Sequence, residues 1–182
     1  MAIQPVRIYG DPVLRQVASE VTAFDPALHA LVADLFDTMR AYRGVGLAAN
    51  QVGQPARVLV VEVPLDDEET ARMALVNPVL SEPAGSEVGE EGCLSIPGIY
   101  EDVRRAARVR VRAKDPQGRA LDFVASGYLA RVLQHEVDHL DGVLFPDRLS
   151  PLKRQFLRRS LDALARGELP EDYQPPLQRG AI

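Results

Sequence analysis

The stretch "SGYLARVLQHEVDHLDG" (126–142) constrains this chain most, because it demands a helix and sets two imidazoles on one side of it. A helical residue turns about 100° and rises about 1.5 Å, so His135 and His139 stand about 40° apart in azimuth and ~6 Å apart along the axis. Both can reach one ion. Glu136 points about 60° around from His139, where it can touch a ligand of that ion without binding it. Leu129, Val132, Leu133 and Leu140 supply an apolar side that buries the helix, and a dry surround strengthens the electrostatics of a metal centre. Ser126 is expected to cap this helix and Gly142 to stop it, while Arg131, which interrupts the apolar run, is expected to face outward. Surface histidines at helical spacing would produce the same pattern, so the pair alone leaves metal binding open.

Two histidines do not complete a site. Of the chain's three histidines, His29 falls in another helix and reads as structural. Zinc peptidases with this helix take their third ligand downstream, yet no histidine follows His139, and Glu168 and Glu171 lie in or near the tail. Upstream, "EEGCLSIPG" presents Cys93, the chain's one cysteine, in a glycine-flanked segment that permits close approach. By itself a single cysteine reads as a small buried hydrophobe. Beside a histidine pair with no downstream partner, the reading turns to ligation: a thiolate and two imidazoles leave one tetrahedral position open for water.

The remaining segments supply the frame. "FDPALHALVADLFDTMRAYRG" predicts a helix capped by Asp25, with Pro26 first inside and Gly44 just past its end. "GVGLAANQVGQP" reads as a tight loop and "RVLVVEV" (57–63) as a buried strand. Residues 66–69 and "SEPAGSEVGEEG" read as exposed loops. In "ARVRVRAKD" Val109, Val111 and Ala113 alternate with Arg108, Arg110 and Arg112, a half-exposed strand that returns through "ALDFVA" as a hairpin. "SPLKRQFLRRSLDALARG" predicts a last helix with Ser150 as cap, and the proline-rich "PEDYQPPLQRGAI" an extended or disordered tail. Together these predict an α+β domain: antiparallel β-sheets packed around a central metal-binding helix, with an N-terminal and a C-terminal helix. The expected division is a catalytic domain over 1–166 and a tail over 167–182. A length of 182 residues suits one domain. The net charge of −5 argues against a dedicated binder of free nucleic acid. No apolar run is long enough for a membrane span. A start without a leader-like pattern, and one cysteine, fit a cytoplasmic protein.

Three motifs, "GVGLAANQ" (44–51), "EGCLS" (91–95) and "QHEVDHLDG" (134–142), resemble in order and separation the signatures of bacterial peptide deformylases. The resemblance extends over about residues 3–165 and includes "YGDPVLR" and "FPDRLSPLKR". It implies a hydrolase that removes the formyl group from the N-terminal formylmethionine of new polypeptides, releasing formate. It implies Cys93, His135 and His139 as ligands of one divalent metal whose bound water or hydroxide attacks the formyl carbon. The family's usual physiological ion is Fe²⁺, with Zn²⁺, Ni²⁺ or Co²⁺ able to replace it, and the ligand set does not choose among them. By the same resemblance Glu136 moves the proton, while the Gln51 amide and the Leu94 backbone N–H hold the oxyanion. Read alone, Gln51 would be an exposed loop amide.

Gly44, Gly46 and Gly92 would let a peptide approach and pair with the backbone, although turning the chain accounts for them too. Val45, Tyr128 and Val132, with the His135 ring, are the candidate wall for methionine; ordinary core packing is the alternative for the last two. Tyr100 stands where some relatives carry an arginine near the substrate. Arg105 matches a structural position and is expected to pair with Glu90 or another acid. Lys153, Arg154, Arg158 and Arg159 make the last helix basic, which a solvated face explains and which also suits contact with the ribosome. Two rival readings are an internal peptidase with a carboxylate ligand and a non-catalytic metal-binding module.

Overall fold

A computed structural model describes residues 2–65 and 69–175 of the chain. Of the predicted acidic loop, residues 66–68 lie outside the described residues, as does the end of the tail from 176 on. The first helix, α1 (Pro26–Ala41), begins as its sequence requires: Asp25 accepts a hydrogen bond from Leu28 N–H across a proline at the first helical position. It is followed by β1 (Gly46–Ala48), a single 3-10 turn over Ala49–Val52, β2 (Val58–Pro64) and the long β3 (Thr70–Ala84). Next come β4 (Glu87–Cys93), β5 (Ile96–Arg105), β6 (Arg108–Lys114) and β7 (Ala120–Ser126). The metal-motif helix is α2 (Gly127–Leu140), and a 3-10 turn over Phe145–Arg148 leads to α3 (Pro151–Ala165).

Five strands form one antiparallel sheet in the order β1-β2-β3-β6-β7, and β4 pairs only with β5. The sheet is clothed on both faces, which explains the unbroken apolar run of β2. Leu59, Val61 and Val63 share a core with Leu133, Val137 and Leu140 of α2. Val58 and Val60 point the other way, to Leu28, Leu35 and Met39 of α1. A third core seats β5 residues Ile96 and Val103 on Phe145 and on Leu161 and Leu164 of α3. The predicted α+β architecture with helices at both ends and a central metal-motif helix is the observed one, as is the β6–β7 hairpin, where Val109 faces Ala125 and Val111 faces Phe123.

Several segments differ from expectation. Residues 44–55 are not merely a loop but carry β1 and its 3-10 turn, because Leu47 and Ala48 are wholly buried against both helical layers. Residues 81–92, expected as a loop, are the end of β3 and most of β4. The two prolines in β3, Pro78 and Pro83, fall where its register against β6 shifts, with Asn77 and Glu82 at positive φ. Bulges of this kind accommodate proline, which cannot donate to the ladder. Ser126 does stand at the N-cap of α2, but its side chain makes no capping bond. His29 is exposed and meets the Pro116 carbonyl of the β6–β7 turn at 2.9 Å, as suits a structural residue.

Candidate metal centre

The centre lies where the end of β4 meets successive turns of α2. Cys93 sits just past a register shift between Gly92 and Cys93 in the β4–β5 pairing. Its Sγ is 3.3 Å from His139 Nε2, which in turn is 3.2 Å from His135 Nε2. The three ligand atoms all lie within 4.8 Å of one another. A tetrahedral ion at ordinary ligand distances holds N and N about 3.4 Å apart, and N and S about 3.6 Å apart. The two short separations are close to those values, and a half-buried thiol facing two ring nitrogens suits a soft or borderline divalent cation. The residues therefore fit a metal. No carboxylate belongs to this group among the described residues, which removes the support for a peptidase with a carboxylate ligand.

One ring is oriented by a carboxylate. His135 Nδ1 is 2.9 Å from Glu91 Oε2. Arg105 grips both oxygens of Glu91 at 2.9 and 3.0 Å, and Arg131 adds a bond of 2.9 Å. Burial pushes the Glu91 pKa up, but the hydrogen bonds from His135 and Arg105 outweigh it and hold it down at about 2. An ionised carboxylate only accepts, so His135 carries a proton on Nδ1, and this bond turns its Nε2 toward the centre. Arg105 also donates to Asp138 at 2.6 Å, and Arg148 binds the same carboxylate at 2.6 and 3.0 Å. His139 is almost wholly buried and its Nδ1 has no hydrogen-bond partner; burial first, then the neighbouring His135, holds its pKa well below the ordinary value.

One expectation about an arginine is corrected here, and a second is met by acids other than Glu90. Arg131 does not face outward: it is buried, and besides Glu91 it donates to the carbonyls of Glu87, Gly89 and Val103. The β4–β5 hairpin lying along α2 supplies those acceptors, which the helix sequence alone does not reveal. Arg105 pairs with Glu91 and Asp138, and not with Glu90, because alternate residues of β4 face opposite ways and Glu90 points to solvent.

Glu136 projects beside the ligands with its carboxylate buried and Oε2 without a partner. Burial pushes its pKa up to about 7 against the opposing pull of His135. Gly46 makes this placement possible, since a Cβ there would overlap Glu136 Oε1. Gln51, far from being exposed, is buried in the 3-10 turn. Its Oε1 accepts from Ala48 N–H at 2.9 Å, which turns Nε2 toward Ser95 Oγ at 3.1 Å and Cys93 Sγ at 3.6 Å. Leu94 occupies the turn between β4 and β5, with its side chain packed against Gly44.

These groups line one cleft of about 790 Å³. Gly44, Val45, Gly46 and Gln51 form one bank, Gly92, Cys93 and Leu94 the other, and Tyr128, Val132, His135 and Glu136 its α2 side. Every site residue singled out in the sequence lies here except His139, which sits behind the cleft wall. Gly92 must lack a side chain because the Tyr100 ring lies across it. The sequence reading missed Glu91 and Ser95. A signal for Glu91 existed: it stands two residues before Cys93, a spacing that shares a strand face.

An antiparallel α+β frame that converges a thiol and two imidazoles beside a buried glutamate with one partnerless oxygen has the arrangement of a metallohydrolase. The "Polypeptide deformylase" family model matches residues 3–155. The peptide deformylase of Alkalilimnicola ehrlichii is 48% identical over 168 residues, 91% of this chain and 93% of that protein. That of Mesorhizobium japonicum is 44% identical, covering 93% and 97%. The crystal structure of the Thermus thermophilus peptide deformylase superposes with a TM-score of 0.83 at 43% identity, covering 90% of this chain and 98% of that one. The chain belongs to the peptide deformylase family, hydrolases that take the N-formyl group from newly made polypeptides. No helix among the described residues is long and apolar enough to cross a membrane.

Proposed function

We propose that Cys93, His135 and His139 hold the catalytic cation of this deformylase, and that Glu136, Gln51 and Leu94 carry the reaction around it. When bound, such a cation lowers the pKa of a coordinated water from about 15.7 toward about 7. Glu136 accepts the proton given up by the attacking water and delivers it to the departing nitrogen, which cannot leave as an anion. Its burial supports both halves of that task, because a carboxyl near neutrality can take a proton and return it. The Gln51 Nε2–H and the Leu94 backbone N–H donate to the oxyanion; one such donor is worth roughly 3–4 kcal/mol in comparable sites. Gln51 comes already oriented by the hydrogen bond its Oε1 accepts from Ala48 N–H, which limits the reorganisation the reaction requires. Val45, Tyr128 and Val132 receive the methionine side chain. Gly44, Gly46 and Gly92 allow the peptide backbone close to the reacting centre.

The single observation that carries this reading is the partnerless Glu136 oxygen buried beside three convergent ligand atoms. Fe²⁺ is the proposed native ion, and Zn²⁺, Ni²⁺ or Co²⁺ would substitute. The proposed domain spans 1–166 with 167–182 as its tail, working in the cytoplasm where new chains emerge. The test is formate release from formyl-Met-Ala-Ser by protein purified anaerobically, with metal measured alongside. Stoichiometric iron and turnover are expected. Glu136→Ala should keep the metal and lose about 10²–10⁴ in kcat, whereas Cys93→Ser should lose tight metal binding and nearly all activity. Retained metal in Cys93→Ser would overturn the ligand assignment.

The basic face of α3 supports ribosome contact as a second proposal. Arg154, Arg158 and Arg159 are exposed around the solvent-facing Phe156, though Lys153 is tied to Glu101 at 2.7 Å. Reversing the charge of Lys153, Arg154, Arg158 and Arg159 together should weaken cosedimentation with ribosomes, and unchanged binding would dismiss the contact.

A further inference from the structure

The family match ends at residue 155, yet the chain returns to the active-site cleft beyond it. After α3 and Gly167, at φ 83°, the backbone makes a turn in which Tyr173 N–H donates to the Pro170 carbonyl at 3.0 Å. Pro170 packs over Gly98 of β5, so closely that a Cβ on Gly98 would come within 3.0 Å of Pro170 Cγ. Tyr173 is half-buried, and its phenol interacts with the hydroxyl of Tyr42 at the end of α1. The turn thus touches the β4–β5 bank through Pro170 and the α1–β1 bank through Tyr173, bridging the two. Pro170, Asp172, Tyr173 and Pro175 line the same cleft as the metal ligands.

With this turn in place the cleft still measures about 790 Å³, at the upper end of the range of roughly 300–1,000 Å³ for sites that enclose a drug-sized ligand. That space exceeds what one methionine side chain occupies, so the turn is a wall and not a plug. A tyrosine ring between prolines offers a rigid apolar surface that costs little side-chain entropy on binding.

We propose that the Pro170–Pro175 turn forms the subsite for the substrate residues that follow formylmethionine, with Tyr173 as its wall. The inference rests on the deformylase reading. Tyr173→Ala in the full chain is compared with the parent on formyl-Met-Ala-Ser and on formyl-Met alone, each in KM and kcat. The KM for the tripeptide should rise about fivefold with kcat retained, as for loss of binding shared by ground and transition states. The constants for formyl-Met should not move. Tyr173→Phe should keep the parent KM, and a chain ending at Leu169 should repeat the Tyr173→Ala pattern. Equal effects on both substrates, no effect on either, or a gain in kcat/KM on truncation would each overturn the proposal. Failure of the underlying deformylase reading looks different: the parent chain itself would release no formate from either substrate.

Discussion

Glu91 meets His135, Arg105 and Arg131 at once, and so one carboxylate couples the folding of β4 to the orientation of a proposed metal ligand. Its effect on the centre is separable from its charge-pairing role. Glu91→Gln keeps the shape but weakens the acceptor for His135 Nδ1–H, and should lower metal affinity about 10–100-fold, the usual cost of losing such a partner. Competition with a chromophoric chelator measures it, and an unchanged affinity would show that the His135 ring is held by packing instead. Gly46 makes the complementary case, in which the absence of a side chain leaves room for the Glu136 carboxylate. Gly46→Ala drives a methyl group into the Glu136 carboxylate. It should lower kcat by about 10²-fold while leaving metal content intact, as expected when a proton-transfer group is displaced. Both residues sit in motifs, but only Gly46 was singled out there as a candidate site residue. The importance of Glu91 depends on two arginines brought in from β5 and α2.

At the scale of elements, Arg105 is the tie between the β4–β5 hairpin and α2. It holds Glu91 on β4 and Asp138 on α2, and all three side chains are buried. Arg105→Met would leave two buried carboxylates short of their cation. Removing one partner of a buried pair typically costs about 3–5 kcal/mol, and a loss of that order is expected by denaturant unfolding. A loss under about 1 kcal/mol would mean that Arg131 and Arg148 compensate. Some elements are readable in the sequence and others are not, for a physical reason. The α1 helix announces itself through Asp25, Pro26 and an apolar stripe, and β6 through strict alternation, because each faces one apolar layer and one wet side. By contrast β3 carries prolines at its bulges, and β4 is rich in glycine and glutamate, since it buries Glu91 against arginines and leaves Val88 exposed. A strand that buries a charge and exposes a valine has no legible period.

For the whole molecule, a metal held as proposed by Cys93, His135 and His139 would join β4 to α2, and with them two of the three cores. Removing it with a chelator should therefore lower the melting temperature. Saturation a thousandfold above Kd is worth about 4 kcal/mol, and a chain of this size loses roughly 2–4 °C per kcal/mol, so a drop near 10 °C is expected by calorimetry, with recovery on adding Fe²⁺ or Zn²⁺. An unchanged melting temperature would mean that the ligands are held together by the fold alone. The sequence by itself determined the helix that aligns His135 with His139 and the motif order that marks the family, and it singled out Cys93 as the candidate third ligand, because helical spacing and ligand chemistry are local properties. Tertiary structure alone decided that Arg131 turns inward, that Gln51 is buried with its amide oriented, and that a turn beyond the matched family region lines the cleft. Those features depend on acceptors and surfaces contributed by strands far away in the chain, and no local pattern encodes where a distant strand will lie.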